Sequence, residues 1–142
     1  MIIQFISSYI ATLSFCIIFN VLKKHLYLCG FVGAVGWTIY YFLAKHCLLT
    51  EVFSSFIAAL VVTSISNLLS RRRHAPITIF LIPGIIPLVP GIGLYRTAYY
   101  LLFKDFPQAT EAALTAFQVS GVIAASITIV AFLPAIFTPA KK

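Results

Sequence analysis

The sequence predicts an all-α integral membrane protein, a polytopic bundle of about five transmembrane helices with the fourth broken by a Pro/Gly motif. Three observations predict it. The 142 residues are 61% hydrophobic and 9% charged, whereas soluble domains are about a quarter charged. The charges sit in short clusters between uncharged runs close to the ~20 residues that cross the hydrocarbon of a bilayer. Those runs show no period-2 alternation. Backbone in lipid must satisfy its own hydrogen bonds, so they read as helices rather than barrel strands.

The runs follow in order. Ile2 to Leu22 has 21 residues without a charge and ends at Lys23, Lys24 and His25. Leu26 to Ala44 has 19 and is closed by Lys45 and His46. Val52 to Ser70 also has 19 and is closed by Arg71, Arg72, Arg73 and His74. A fourth span over 76–103 is discontinuous. Lys104, Asp105 and Pro107 mark a loop, and a fifth span is expected over 112–134, with Pro134, Pro139, Lys141 and Lys142 finishing the chain. The whole of 1–142 is one transmembrane domain in this reading. The first residues carry no basic n-region and no A-x-A site, so the first run is expected to remain in the protein.

Charge placement supports five spans. With five, Lys23, Lys24, Arg71, Arg72, Arg73, Lys141 and Lys142 share one side. Lys45, Arg96 and Lys104 fall on the other, with all three acids, Glu51, Asp105 and Glu111. The positive-inside rule then puts the N-terminus outside and the C-terminus in the cytoplasm of an inner (plasma) membrane. The net charge of +7 would suit nucleic acid, but its confinement to loop clusters reads as topology, and no nucleic-acid partner is expected. Cys16, Cys29 and Cys47 are odd in number, scattered in apolar runs, and read as buried, reduced thiols. No nucleophile elbow, HExxH, phosphate loop or carboxylate pair occurs, so no catalytic residue, metal or cofactor is expected.

Pro83 to Gly93 holds three prolines and three glycines within eleven residues, in the middle of an apolar run. Each interior proline removes a helical hydrogen bond and clashes with the preceding turn, at about 3 kcal/mol. Irregular backbone at that depth must be buried in protein or line a polar cavity. A discontinuous helix follows, one half over about 77–86, the other from Pro90 or Gly91 to about Phe103. The second half would present the N–H groups of Gly91, Ile92 and Gly93 near the midplane, donors that favour anions. Broken helices hold substrate carboxylates in transporters; a kinked helix that only packs is the plain alternative. Candidate substrate-contacting residues are Pro83, Gly84, Pro87, Pro90, Gly91, Gly93 and Arg96. Arg96 is either a carboxylate partner or an interfacial residue beside the Tyr95, Tyr99 and Tyr100 belt.

Asn67 and Gln118 are the best candidates among the intramembrane polar residues for lining a path; helix–helix glue is the alternative for these and for Asn20, Ser64, Ser66, Ser120, Ser126 and Thr128. Glu51 and Glu111 lie near helix starts, where an acid complements the dipole or carries a proton. Gly30, Gly33, Gly36 and Ala34 form a small-residue face, and Gly121 and Ala125 another, which invites close helix contact and a partner subunit.

Ile86-Pro87-Leu88-Val89-Pro90-Gly91 with Tyr95-Arg96 resembles the P-x-x-P-G signature of the threonine/serine exporter family. Phe19-Asn20-Val21 and the Thr78 to Tyr95 context also fit, and the chain is similar to the short, second-half subunit of a split exporter. The resemblance implies outward transport of threonine and serine, or of dicarboxylates in related split systems. It also implies drive from the proton gradient and a larger membrane partner with a soluble N-terminal portion. The expected partners are that subunit, the bilayer and a small-molecule substrate, with a homo-oligomer left open. A non-transporting scaffold or assembly protein, or a small channel, are the rival readings.

Overall fold

A computed structural model describes the backbone of residues 1–137 and the side chains through Phe132. Among these residues are six α-helices: α1 (Ile2–Ile18), α2 (Leu26–His46), α3 (Glu51–Arg73), α4 (Thr78–Ile85), α5 (Gly91–Leu102) and α6 (Phe106–Phe137). Two 3₁₀ turns, Lys23–His25 and Ile86–Leu88, lead into α2 and out of α4. All five apolar runs are helical, and the fourth is the broken one. By length and hydropathy, three helices can cross a membrane alone, and the bent pair of α4 with its turn and α5 makes a fourth. α1, at 17 residues, is about 25 Å long and sits at the lower limit for spanning.

The first span was expected to reach Leu22 and stops four residues earlier. Asn20 adopts φ 53°; its N–H donates to the Ile17 carbonyl at 3.0 Å and the Val21 N–H to the Cys16 carbonyl at 3.0 Å. This is a Schellman cap, and asparagine tolerates its left-handed conformation. The same 6→1 bond ends α3 after His74 and α5 after Lys104, both with positive φ; Leu48 after α2 also has positive φ, and there the Leu49 N–H reaches one residue further back, to the Leu43 carbonyl at 3.3 Å. The last helix begins at Phe106, not at Ala112. The Asp105 carboxylate accepts from the Gln108 N–H at 3.3 Å, and Pro107 falls in the first turn, where its missing N–H costs little. Glu111 is therefore in the second turn rather than at the helix start. Pro139, Lys141 and Lys142 lie outside the described residues.

Successive spans alternate in direction, and the packing shows which ends coincide. Val21 and Leu26 lie against the Cys16, Cys29 and Phe80 cluster together with Leu69 and Ala75. Lys23 and Lys24 thus share one end of the bundle with Arg71, Arg72 and Arg73. Glu51 opens α3 at the other end. Small residues let α1 and α2 approach closely: a Cβ on Gly33 would collide with Thr12, and the Ser8 hydroxyl donates to the Gly33 carbonyl at 3.2 Å. Trp37 Nε1 donates to Gln4 Oε1 at 3.0 Å and ties the same pair nearer the other end. α3 meets α6 through Ser126, whose hydroxyl reaches the Phe56 carbonyl at 3.1 Å. Gly121 and Ala125 face outward and are exposed. Cys16 and Cys29 are buried as expected, whereas Cys47, just past the end of α2, is exposed.

Helix α4 continues through Pro83, which is fully buried. A proline cannot donate to the carbonyl four residues back, here that of Ile79. The Cys29 thiol of α2 supplies the missing donor at 3.2 Å. A buried thiol that seemed chemically idle thus completes the backbone of a helix 50 positions away.

Two measurements follow, both as thermal unfolding in detergent. Gly33→Leu should lower stability by about 1–3 kcal/mol through overpacking against Thr12, while Gly121→Ala leaves the melting temperature unchanged. Cys29→Ala should cost about 1–3 kcal/mol by leaving the Ile79 carbonyl unpaired, and Cys29→Ser should recover most of it.

Candidate functional site

The break between α4 and α5 is built by three local rules. Pro87 sits within the 3₁₀ turn, and the Val89 N–H closes that turn on the Ile86 carbonyl at 3.1 Å. Val89 is extended, the conformation favoured before a proline. Pro90, with φ −75° and ψ 57°, forms an inverse γ-turn, in which the Gly91 N–H donates to the Val89 carbonyl at 2.7 Å. The chain then re-enters helix with its axis bent by 46°. Leu94 is the first residue to close a helical bond, to the Pro90 carbonyl at 3.1 Å. The Gly91 amide is therefore spent on the turn, contrary to expectation. Those of Ile92 and Gly93 are the open donors of the first turn of α5 among the described residues.

Both residues line a cavity of about 640 Å³. Trp37 and Tyr40 of α2 and Glu51 and Ser55 of α3 form one side. Pro87 through Gly93, then Arg96 and Tyr100 of α5, form another. Gln108, Glu111, Ala112, Thr115, Ala116 and Val119 of α6 complete it. Gly91 has open space where a side chain would project, whereas a Cβ at Gly93 would lie 3.1 Å from Ala116 Cβ. That close approach fixes the register of the α5–α6 hairpin. Arg96 lines the same cavity as Glu111 of α6 and Glu51 of α3. The tyrosines divide: Tyr100 lines the cavity with Arg96, while Tyr95 and Tyr99 lie outside it, their rings tilted with centroids 6.2 Å apart.

Of the residues singled out from sequence, Pro87, Pro90, Gly91, Gly93 and Arg96 line the cavity. Pro83 and Gly84 are buried behind its wall, where Gly84 faces Val32 and Val62. Asn67 lies toward the basic end and accepts from Arg71 Nε at 3.3 Å. Gln118 is exposed on α6 and not part of the cavity wall. Neither belongs to the cavity wall, because the cavity-facing side of α3 and α6 is set by their neighbours. The walls instead bring in Trp37, Tyr40, Ser55, Gln108 and Thr115, and join them to Glu51 and Glu111. Their signal was spacing: Glu51 and Ser55 are four apart, and Gln108, Glu111 and Thr115 three and four apart, so each set marks a polar stripe on one helical face.

A family model described as Threonine/Serine exporter, ThrE, matches residues 4–133. A Mycobacterium tuberculosis protein named probable threonine/serine exporter is 35% identical over 79 residues, which covers 51% of this chain and 15% of that protein. An uncharacterized protein of Haemophilus influenzae is 32% identical over 87 residues, covering 61% of this chain and 29% of its own length. The match thus spans less than a third of either relative. No solved structure matches the chain. The family match takes in every helix and the whole Pro–Gly break, and the chain belongs to the threonine/serine exporter family as a multi-pass membrane protein.

Proposed function

We propose that this chain is one subunit of an inner-membrane exporter, acting with a larger membrane partner to move small carboxylate-bearing metabolites outward at the expense of the proton gradient. One observation carries the proposal: Arg96, Ile92 and Gly93, the last two with open amides, line one cavity at the helix break. A carboxylate there would gain charge-assisted hydrogen bonds and the positive end of a helix dipole. Transporters with discontinuous helices bind anionic groups in this manner.

The rest of the wall bears on which metabolite. Glu51 and Glu111 share the cavity with a single guanidinium. A second carboxylate on the substrate would meet these acids, whereas an ammonium group would be attracted to them. The charge pattern favours an amino acid such as threonine or serine over a dicarboxylate. The name of the Mycobacterium tuberculosis relative agrees. The same two acids are the candidates for carrying a coupling proton. With Arg71, Arg72 and Arg73 placed in the cytoplasm by the positive-inside rule, the cavity belongs to the outer half of the bundle.

The test is threonine and serine efflux from cells that express the chain with its membrane partner. Arg96→Gln should reduce efflux at least about tenfold, the scale of one charge-assisted hydrogen bond. Gly91→Leu should abolish it by filling the cavity, with membrane insertion unchanged because the position is open. Glu51→Gln or Glu111→Gln should remove dependence on the proton gradient. Normal uphill efflux from Arg96→Gln and Gly91→Leu would refute the proposal.

A further inference from the structure

The cavity does not cross the bundle. Leu88 and Val119 line its floor, and both belong to the apolar cluster of Val32, Ala58, Ala59, Val62 and Ile123. One face of α3 runs through this cluster from the cavity toward the basic end: Ser55, Ala59, Val62 and Ser66, spaced four, three and four residues apart. All four are buried. Ser55 lines the cavity. Ser66, about 16 Å further along the helix at 1.5 Å per residue, is fully buried and its hydroxyl has no partner. Polar groups therefore resume beyond the apolar cluster, and Asn67 and Ser70 continue them to Arg71.

Between the two serines, Val62 is the largest buried side chain on this face of α3. Val62 occupies a notch between two glycines on different helices. A Cβ on Gly36 of α2 would collide with Val62, and one on Gly84 of α4 would lie 3.2 Å from Val62 Cγ1 and 2.7 Å from Val32 Cγ1. The missing side chains let the backbones of α2 and α4 close directly onto Val62. The notch is also coupled to the break, because α4 has eight residues and runs straight into the turn that carries the floor residue Leu88.

We infer that Val62, clasped between Gly36 and Gly84, is the inner gate of a polar path that continues from the cavity to Ser66 and the basic end of the bundle. The structure holds that gate shut with the cavity open above it. Moving α4 at the break withdraws Gly84 and Leu88 together and uncovers Ser66. The inference rests on the exporter proposal for the identity of the solute, but the seal can be tested without it.

The test uses the full chain with its partner in sealed vesicles and a membrane-impermeant, cationic methanethiosulfonate reagent. The exposed Cys47 is replaced by serine, and single Ser55→Cys and Ser66→Cys variants are compared. Reagent is added only from the side on which Ser55→Cys reacts. With Val62 present, Ser66→Cys should stay unmodified. In Val62→Gly and Val62→Ser it should react at least about tenfold faster, since the freed space is polar enough at one end to admit water. Val62→Ala, the mildest truncation, carries the test if the others insert poorly. Ser66→Cys that reacts equally with Val62 intact would overturn the gate. So would Ser66→Cys that remains unmodified in every truncation while Ser55→Cys reacts normally. Serine efflux measured in parallel separates the two ideas: a gate that opens in a protein that exports no threonine or serine leaves the gate standing and removes the transport proposal.

Discussion

A backbone N–H or C=O left unpaired in hydrocarbon costs several kcal/mol, and no water is at hand to relieve it. Pro83, Pro87 and Pro90 make that problem unavoidable in the fourth span, and the rest of the structure is arranged around how it is solved. Three different solutions occur within eleven residues. The Ile79 carbonyl, deprived by Pro83, accepts from the Cys29 thiol. The segment from Ile86 to Gly91 closes on itself through a 3₁₀ turn and a γ-turn. Ile92 and Gly93, whose amides close no backbone bond, line a cavity. The last solution creates the site: donors that the break leaves free are what a carboxylate would use.

Holding such a break in place needs neighbours that come close, and glycine on α2 and α4 provides for this. The Gly36 and Gly84 backbones close onto Val62 on the α4 side of the break. On the other side α5 has no buried residue and leans on α6 through Gly93 and Ala116. The two halves of the broken helix thus differ in kind, one clamped in the bundle and one peripheral. Charge is divided in the same sense. The basic clusters gather at the end where α4 begins, and the acids Glu51 and Glu111 join Arg96 in the cavity at the opposite end.

The break was legible in the sequence because proline and glycine act locally. The halves expected over about 77–86 and from Pro90 or Gly91 to about 103 are Thr78–Ile85 and Gly91–Leu102. Helix ends were less legible. The left-handed cap at Asn20 shortened the first span, and the Asp105 cap with Pro107 in the first turn lengthened the last. The walls of the cavity were least legible. The polarity of Asn67 and Gln118 does not place them, because which face of a helix meets a cavity is decided by the helices packed against it. Glu51, Glu111, Tyr40 and Gln108 come together only when α2, α3, α5 and α6 are assembled. The role of Cys29 depends on a proline more than 50 positions further on, a relation that spacing along the chain does not carry.

The central claim is that the fourth helix is broken inside the membrane and that its open amides face water. Amide hydrogen exchange, measured by mass spectrometry on the protein in lipid nanodiscs, tests it most directly. The account predicts rapid exchange at Ile92 and Gly93, with strong protection in α3 between Phe56 and Ser66 and in α4 around Phe80. Protection at Ile92 and Gly93 equal to that of α3 would show a continuous or fully buried backbone there and contradict it.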